Sequence, residues 1–337
     1  MDTLKSRLIS GFKMILLPLA MYLFFLILSS IVGVGSFGTG LSMRTALRSA
    51  VYTCLIAWGM SFNLLANRWD YSVGAVLVLS SILGPRFAMA LDAGPAATLI
   101  LCSLIGVFFS GIVGLTFILT RIPPLVVSMG FLLLWEGLSS LVYEGGGVNV
   151  TGSPLMSIAR FPNFLIPFAV FFLIAYIVFS KTQLGYDIRA ISYGANVAFN
   201  VGVKEKRAIF VAYALGGLFM GAGGYFSAAQ IGQVWPAMNA GSVVTAFSCC
   251  IPVFIGKFLS RYGNMMVGVV MGSLALAFMN SGLSSLGISS SLQTTFNGFF
   301  LLAFLVVTAN EERFGKYLES KKIARLANEK AAAARQS

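Results

Sequence analysis

Residues 182–203, TQLGYDIRAISYGANVAFNVGV, decide how this chain is organised, and the charged run KEKR follows at once at 204–207. The sequence on both sides is apolar enough for a membrane, whereas this segment carries Asp187 and Arg189 among small residues. It also contains apolar residues such as Ile188, which give it surface for docking. Two interpretations fit: a short amphipathic helix on the cytoplasmic face that contacts a soluble partner, or an ordinary polar loop between two spans.

The composition is that of a membrane protein. The 337 residues are 58% hydrophobic and 10% charged, whereas a soluble domain is about a quarter charged. Repeated apolar runs of about 20 residues predict helices that each cross about 30 Å of hydrocarbon. The sequence therefore predicts an all-α, polytopic transmembrane helical bundle.

We predict about ten spans within a membrane domain of residues 14–309, preceded by a segment 1–13 and followed by a charged tail 310–337. The eighth span is short, and Pro252 is expected to interrupt it. The Gly-, Ser- and Pro-rich stretch 144–161 is long enough to be an exposed outer loop. The predicted spans are residues 14–35, 47–66, 72–91, 96–119, 124–143, 162–179, 208–228, 243–256, 264–282 and 292–309.

The net charge of +12 is explained by membrane topology rather than by nucleic acid. With ten spans, both termini lie on one side, and so do most of the 23 Lys and Arg residues. The positive-inside rule then places both termini and the segment 182–207 in the cytoplasm. The basic residues assigned to the other side are Arg44, Arg48, Arg86 and Arg160.

Metal and disulfide chemistry find no support in the sequence. The chain has no histidine, which removes the commonest metal ligand. Its four cysteines lie inside apolar runs without disulfide or metal spacing, so we predict small buried residues and no metal site. They are Cys54, Cys102, Cys249 and Cys250.

Four stretches of the sequence, residues 185–203, 213–224, 70–74 and 280–298, together resemble motifs of ATP-binding cassette importer permeases of the ribose and branched-chain amino acid type. The glycine-rich run 213–224 is similar to the helix that follows the family's cytoplasmic loop. Asp70 to Gly74 (DYSVG) is similar to the family's D-L-S-V-G element. Residues 280–298 resemble its C-terminal N-G-L…G…Q…G pattern. The cytoplasmic motif is matched by Gly185, Tyr186, Asp187, Arg189, Ala190, Gly194, Asn196, Phe199, Gly202 and Val203.

The resemblance implies that segment 182–207 couples this chain to ATPase subunits in the cytoplasm. It implies two ATPase subunits, a second permease subunit, an extracytoplasmic solute-binding protein and a place in the bacterial inner membrane. The chain has no Gly-x-x-x-x-Gly-Lys-Ser/Thr motif, so ATP would be used by the partner subunits and no cofactor is expected here. The expected coupling residues are Gly185, Tyr186, Asp187, Arg189, Gly194, Asn196 and Gly202.

The most favoured cargo is a sugar, and no covalent chemistry is expected of this chain. It departs from many sugar-type members, because residues 241–248 lack their acidic stretch. Nucleoside or branched-chain amino acid import therefore stays open, as does pairing with an unlike permease. An ion-coupled secondary transporter is a further alternative, for which Glu136 is the best candidate.

Polar residues in or near the spans are candidates for a translocation pathway. Asp70 is read either as part of a polar cluster at a helix break, or as an interfacial charge or helix N-cap. Glu136 lies within a span and could line the route or hold helices together. Amide and hydroxyl groups suit a polar neutral solute, although they also tie membrane helices together. The full candidate set is Asn63, Asp70, Ser72, Glu136, Gln230, Asn280, Gln293 and Asn297.

Overall fold

The computed structural model describes residues 2–33, 35–120 and 122–310. Within these ranges the fold is all-α apart from two short strands and two 3-10 turns, as the sequence predicts. The helices are α1 (Asp2–Val32), α2 (Gly40–Leu65), α3 (Ser72–Ala90), α4 (Pro95–Thr120), α5 (Pro124–Leu141), α6 (Leu165–Lys181), α7 (Gln183–Ser192), α8 (Ala195–Asn200), α9 (Glu205–Ile231), α10 (Val243–Leu259), α11 (Met265–Ser285) and α12 (Ser290–Ala309).

Ten of these helices, α1–α6 and α9–α12, coincide with the ten predicted apolar runs. Within the described ranges, six helices are long and apolar enough to cross a membrane, or seven if the bent pair α6–α7 is one span. The chain is therefore a multi-span membrane protein. Ten crossings and cytoplasmic termini stay predictions, and the tail beyond Asn310 lies outside the described residues.

Two helix boundaries and one predicted break differ from the expected ones. Helix α1 begins at Asp2, within the segment 1–13 that was assigned to the cytoplasmic terminus. Helix α2 begins at Gly40 because the Thr39 side chain accepts a hydrogen bond from the Ser42 amide and caps it. Helix α10 runs through Pro252 without interruption, so the predicted break there is wrong. Neighbouring helices can stabilise a membrane helix at proline.

Helix α9 is the centre of the bundle and packs against α2, α3 and α4. A Cβ atom on Gly217 would overlap the backbone carbonyl of Gly106, and one on Gly221 would overlap that of Cys102, both in α4. On α2, a Cβ atom on Gly59 would lie 2.9 Å from the Gly216 carbonyl oxygen, which is also too close. The glycines of α9 are therefore helix-packing positions, as expected, because small residues let membrane helices approach closely.

The end of the bundle remote from α7 and α8 is covered by the loop between α5 and α6. Strand β1 (Val148–Asn149) pairs antiparallel with β2 (Gln233–Val234), which follows α9. A 3-10 turn, Pro154–Ala159, is fixed by a 2.8 Å hydrogen bond from the Tyr225 hydroxyl to the Leu155 carbonyl. This loop is thus folded onto the helix ends.

Helices α1 to α11 form one compact unit, and Ser290 begins a second unit that contains α12. The 20 residues of α12 are mostly apolar and carry the predicted pathway residues Gln293 and Asn297.

Candidate functional site

The segment 182–203 folds as two short helices, α7 and α8, after a sharp turn in the chain. Helix α7 is bent 67° from α6 across Thr182. The bend brings Gly185 so close to the last turn of α6 that a Cβ atom would overlap the Phe179 carbonyl. Glycine is therefore required at residue 185 for this corner to form.

One face of α7 and α8 is anchored to the bundle. Ile191 and Ala198 are buried in an apolar cluster with Ala66 at the end of α2 and Ala208 in α9. The Asn67 side-chain amide donates a 3.2 Å hydrogen bond to the Ile191 carbonyl. Ile188 is likewise buried within the chain, so the expectation that it supplies surface for docking is wrong.

Several apolar side chains of the same segment are exposed. Tyr193 is 80% exposed and Phe199 is 82% exposed, and Tyr186 and Val197 are exposed as well. Gly194 separates α7 from α8 with φ near 124°, a conformation that other residues rarely adopt. This set of four exposed side chains, the α7–α8 face, is an apolar surface on a segment that is otherwise polar.

The charged residues predicted to couple this chain to a partner lie on the same segment. The Arg189 guanidinium stacks 4.5 Å from the Tyr186 ring and its Nε donates to the Gly185 carbonyl at 3.1 Å. Asp187 lines a cavity of about 290 Å³ together with Gly202, Lys204 and Arg207. Asn196 is exposed on α8. The structure thus brings the predicted coupling residues onto one continuous segment.

The α2–α3 connection holds a buried carboxylate next to this segment. Asp70 is fully buried, so the interpretation as an interfacial charge in water is wrong. One carboxylate oxygen accepts from the Ser72 amide at 2.9 Å and from the Ser72 hydroxyl at 2.5 Å. The other accepts from the Asn63 side chain at 2.9 Å. Asp70 therefore caps the start of α3 and ties it to α2. It is thus both a helix N-cap and part of a polar cluster at a break between helices.

Burial raises the pKa of Asp70 from 3.8 to about 6, although the hydrogen bonds from Ser72 and Asn63 act in the opposite direction. The carboxylate lies between two helices, outside both. Its neighbour Arg68 forms a 2.8 Å ion pair with Glu205 at the start of α9. Contacts at residues 67 and 68 thus join this connection to the segment that carries the α7–α8 face.

Glu136 holds an irregular segment inside the bundle. Its carboxylate is buried and accepts from the amides of Ala240 and Ser242, each at 2.8 Å, and from the Ser242 hydroxyl at 2.6 Å. Ser242 in turn lies against Gly74 of α3 so closely that a Cβ there would overlap its carbonyl. Of the two interpretations of Glu136, the geometry supports the one in which it holds elements together.

Residues 235–242 run alongside α3 before α10 begins, as contacts at their two ends show. The β1–β2 pair lies near Arg86, whose Nε donates to the Gly147 carbonyl at 2.8 Å, whereas Ser242 lies at Gly74. Those two residues of α3 are about 18 Å apart at 1.5 Å per residue. Non-helical backbone is tolerated within a membrane only where protein groups form hydrogen bonds with its N–H and C=O groups. The Glu136 carboxylate provides such an acceptor.

The other predicted pathway residues do not converge on these clusters. Gln230 donates to the Ser49 hydroxyl at 3.4 Å, at the far end of α9. The Asn280 side-chain oxygen in α11 is buried, and no partner is found for it among the described residues. The Asn297 side-chain oxygen in α12 is likewise unpaired. Asn63 and Ser72 are engaged by Asp70, so the set divides between several positions.

Sequence reasoning missed Asn67 and Ser242, which hold the two junctions. Asn67 has φ near 55°, so a residue that tolerates left-handed backbone stands at the turn after α2. Ser242 directly precedes α10 and could have been read as a helix cap. Neither signal identifies the distant group that each one binds.

A long helical bundle that crosses the membrane several times, with a short helical segment anchored at one end, defines an integral multi-span membrane protein. A family model described as "Branched-chain amino acid transport system / permease component" matches residues 42–309. The chain belongs to this family and is a permease component of an ATP-binding cassette importer. The resemblance seen in the sequence motifs is confirmed.

Similar proteins with names include several sugar permeases. The chain is 27% identical over 274 residues to the ribose import permease protein of Bacillus subtilis (strain 168), covering 79% of this chain and 84% of that protein. It is 26% identical over 258 residues to the D-allose transport system permease protein of Escherichia coli (strain K12), covering 74% and 78%. An autoinducer 2 import permease of Photorhabdus luminescens is 26% identical over 267 residues, covering 77% and 78%. No solved structure matches the chain.

Proposed function

We propose that this chain forms the membrane pathway of an importer for a sugar or a related polyol in the bacterial inner membrane. Two separate ATPase subunits would drive transport, a second permease subunit would complete the pathway, and an extracytoplasmic solute-binding protein would deliver the cargo. The sugar class is supported by the named ribose and allose relatives. Nucleoside or branched-chain amino acid import is the alternative within the family.

The observation that carries the coupling role is the α7–α8 face. An apolar surface that holds Phe199 and Tyr193 in water is unfavourable unless a partner covers it. Exposed aromatic side chains of this kind are typical of contacts that carry much of a binding energy. Because the other side of the segment is fixed to α2 and α9, force on the face would be passed to the bundle.

The α2–α3 connection is the proposed route by which docking reaches the spans. Asn67 binds the Ile191 carbonyl of α7, and Arg68 pairs with Glu205 of α9. Two residues after Arg68, Asp70 fixes the start of α3. Movement of α7 and α8 would therefore act on α2, α3 and α9 together, which is the shared core of the bundle.

Ion-coupled transport is not favoured by the position of Glu136. A coupling carboxylate has to exchange its ion or proton during the cycle. The Glu136 carboxylate instead accepts three hydrogen bonds from residues 240 and 242, and its loss would leave their donors unpaired. Among the predicted pathway residues, the unpaired oxygen of Asn280 is better suited to accept a hydrogen bond from a sugar hydroxyl.

The test is copurification of an ATPase subunit with the full chain from its native membrane. Phe199→Ala should reduce recovery of the ATPase at least about tenfold, because a truncated central aromatic commonly costs that much binding. The matched control is Phe108→Ala, which removes a phenylalanine that is 63% exposed on α4, remote from the face. Equal recovery from the two variants would contradict docking at this face.

Uptake into energised vesicles tests the cargo and the driving force separately. Radiolabelled ribose, allose and galactose are compared with a nucleoside and with leucine, in vesicles that also contain the partner subunits. We expect sugar uptake that requires internal ATP and survives collapse of the proton gradient. Uptake that follows the gradient without ATP would refute the importer proposal.

A further inference from the structure

Three arginines line one cavity at the end of α2 remote from α7. The cavity measures about 260 Å³ and is bounded by Arg44 and Arg48 of α2 and by Arg160 and Phe161 of the loop before α6. Arg44 and Arg48 are one helical turn apart, so their side chains lie on the same side of α2. Three positive charges converge there within one small volume.

No anionic partner for these positive charges is found among the described residues. Within the described ranges, the ion pair found is Arg68–Glu205, at the other end of the bundle. The Arg48 Nε atom is buried and has no hydrogen-bond partner there. The Arg44 guanidinium lies 5.3 Å above the Phe161 ring, a contact that leaves its N–H groups free for an anion. A buried guanidinium donor without an acceptor, such as the Arg48 Nε atom, is costly, which favours a bound anion beside it, whereas Arg44 and Arg160 are themselves exposed.

An apolar groove adjoins this cavity. It measures about 140 Å³ and is lined by side chains that include Val51 of α2, Phe168 of α6, and Val270 and Leu274 of α11. Phe164 lines both the groove and the arginine cavity. A ligand that fills both would carry an anion at one end and a hydrocarbon chain at the other.

The depth of the site matches a membrane interface. Arg44 lies 21 residues before Leu65 on the continuous helix α2, which is about 30 Å at 1.5 Å per residue. That distance is close to the thickness of the bilayer hydrocarbon. Because the end of α2 at Leu65 adjoins α7, the arginine cavity lies at the opposite interface, with the groove directed into the hydrocarbon.

We propose that the cavity and the groove form a binding site for an anionic phospholipid of the leaflet opposite the α7–α8 face. The phosphate accepts hydrogen bonds from Arg44, Arg48 and Arg160, since guanidinium groups bind phosphate oxygens well. One acyl chain occupies the groove between α2, α6 and α11. Bound lipid would clamp α2 to α6 and to the loop that precedes it.

The test measures lipid retained by the full purified chain in a mild detergent, by native mass spectrometry and by titration with phosphatidylglycerol. Each arginine near a lipid phosphate contributes about a fivefold change in affinity, so Arg48→Gln with Arg160→Gln should weaken binding about 25-fold. The control is Lys257→Gln, which removes an exposed positive charge at the other end of the bundle and should leave lipid binding unchanged. Thermal unfolding checks that the variants fold, and Arg160→Gln alone serves if the double variant does not.

A second variant separates the chain site from the phosphate site. Leu274→Trp fills the groove and should weaken phosphatidylglycerol binding, while competition by inorganic phosphate or glycerol phosphate should need far higher concentrations than the lipid does. Inorganic phosphate that binds as tightly as the lipid would reduce the site to a simple anion site and overturn the proposal. The proposal would also be overturned if the arginine variants bound the lipid as tightly as the native chain does, including the case in which they lose only a protein partner.

Discussion

Asp70→Asn tests whether the buried carboxylate between α2 and α3 is held at a cost. The pKa of Asp70 is raised from 3.8 to about 6 by burial. An acid with a raised pKa in the folded state contributes stability that is fully present below the unfolded pKa and is lost as the pH rises through the folded pKa. A shift of about two pKa units corresponds to about 3 kcal/mol of free energy of unfolding, lost between roughly pH 4 and pH 6.

The variant should remove that pH dependence without removing the hydrogen bonds. An amide oxygen at position 70 can still accept from Ser72. The new amide group can donate to the Asn63 side-chain oxygen, which has no partner in the native chain, once the Asn63 amide rotates. At pH 8 the variant should therefore be more stable than the native chain by at most about 3 kcal/mol, and at pH 4 the two should be alike.

The assay is thermal unfolding of the purified chain in detergent, followed by tryptophan fluorescence, from pH 4 to pH 8. We expect the melting temperature of the native chain to fall relative to the variant by about 5 °C across this range. Ser72→Ala is the matched comparison, because it removes one hydrogen bond to the carboxylate and should steepen the native pH dependence. Parallel pH profiles for the native chain and Asp70→Asn would refute the reasoning.

Two further predictions concern the packing of the bundle. Gly217→Ala should lower the fraction of chain that survives heating, measured by size-exclusion chromatography, because the added Cβ overlaps an α4 carbonyl. Gly111→Ala is the control, because its Cβ meets open space and the change should be neutral or stabilising. Glu136→Ala should destabilise the fold by about 3 kcal/mol or more, because the Ala240 and Ser242 amides lose their acceptor. Glu136→Gln keeps an acceptor oxygen and should cost less. Equal melting temperatures for the native chain and both variants would contradict the role of Glu136 in holding these elements together.

The α7–α8 face illustrates how much of a proposed docking surface can be predicted from sequence. The polar composition of residues 182–203 marks a segment that leaves the membrane, and its apolar residues indicate a docking surface. The sequence does not tell which of those residues are already used by the chain itself. Ile191 is buried against α2 and α9, whereas Phe199 is exposed, and only the packed structure separates the two.

The sequence by itself determined the helical class, the positions of the ten long helices and the family. Apolar runs, proline and glycine act locally or through a fixed helical repeat, so these features are readable along the chain. The tertiary structure decided that Glu136 meets Ser242 and that Asp70 meets Asn63 and Ser72. It also decided that three arginines line one cavity. Such pairings depend on how helices distant in sequence pack together, and a linear pattern carries no information on that geometry.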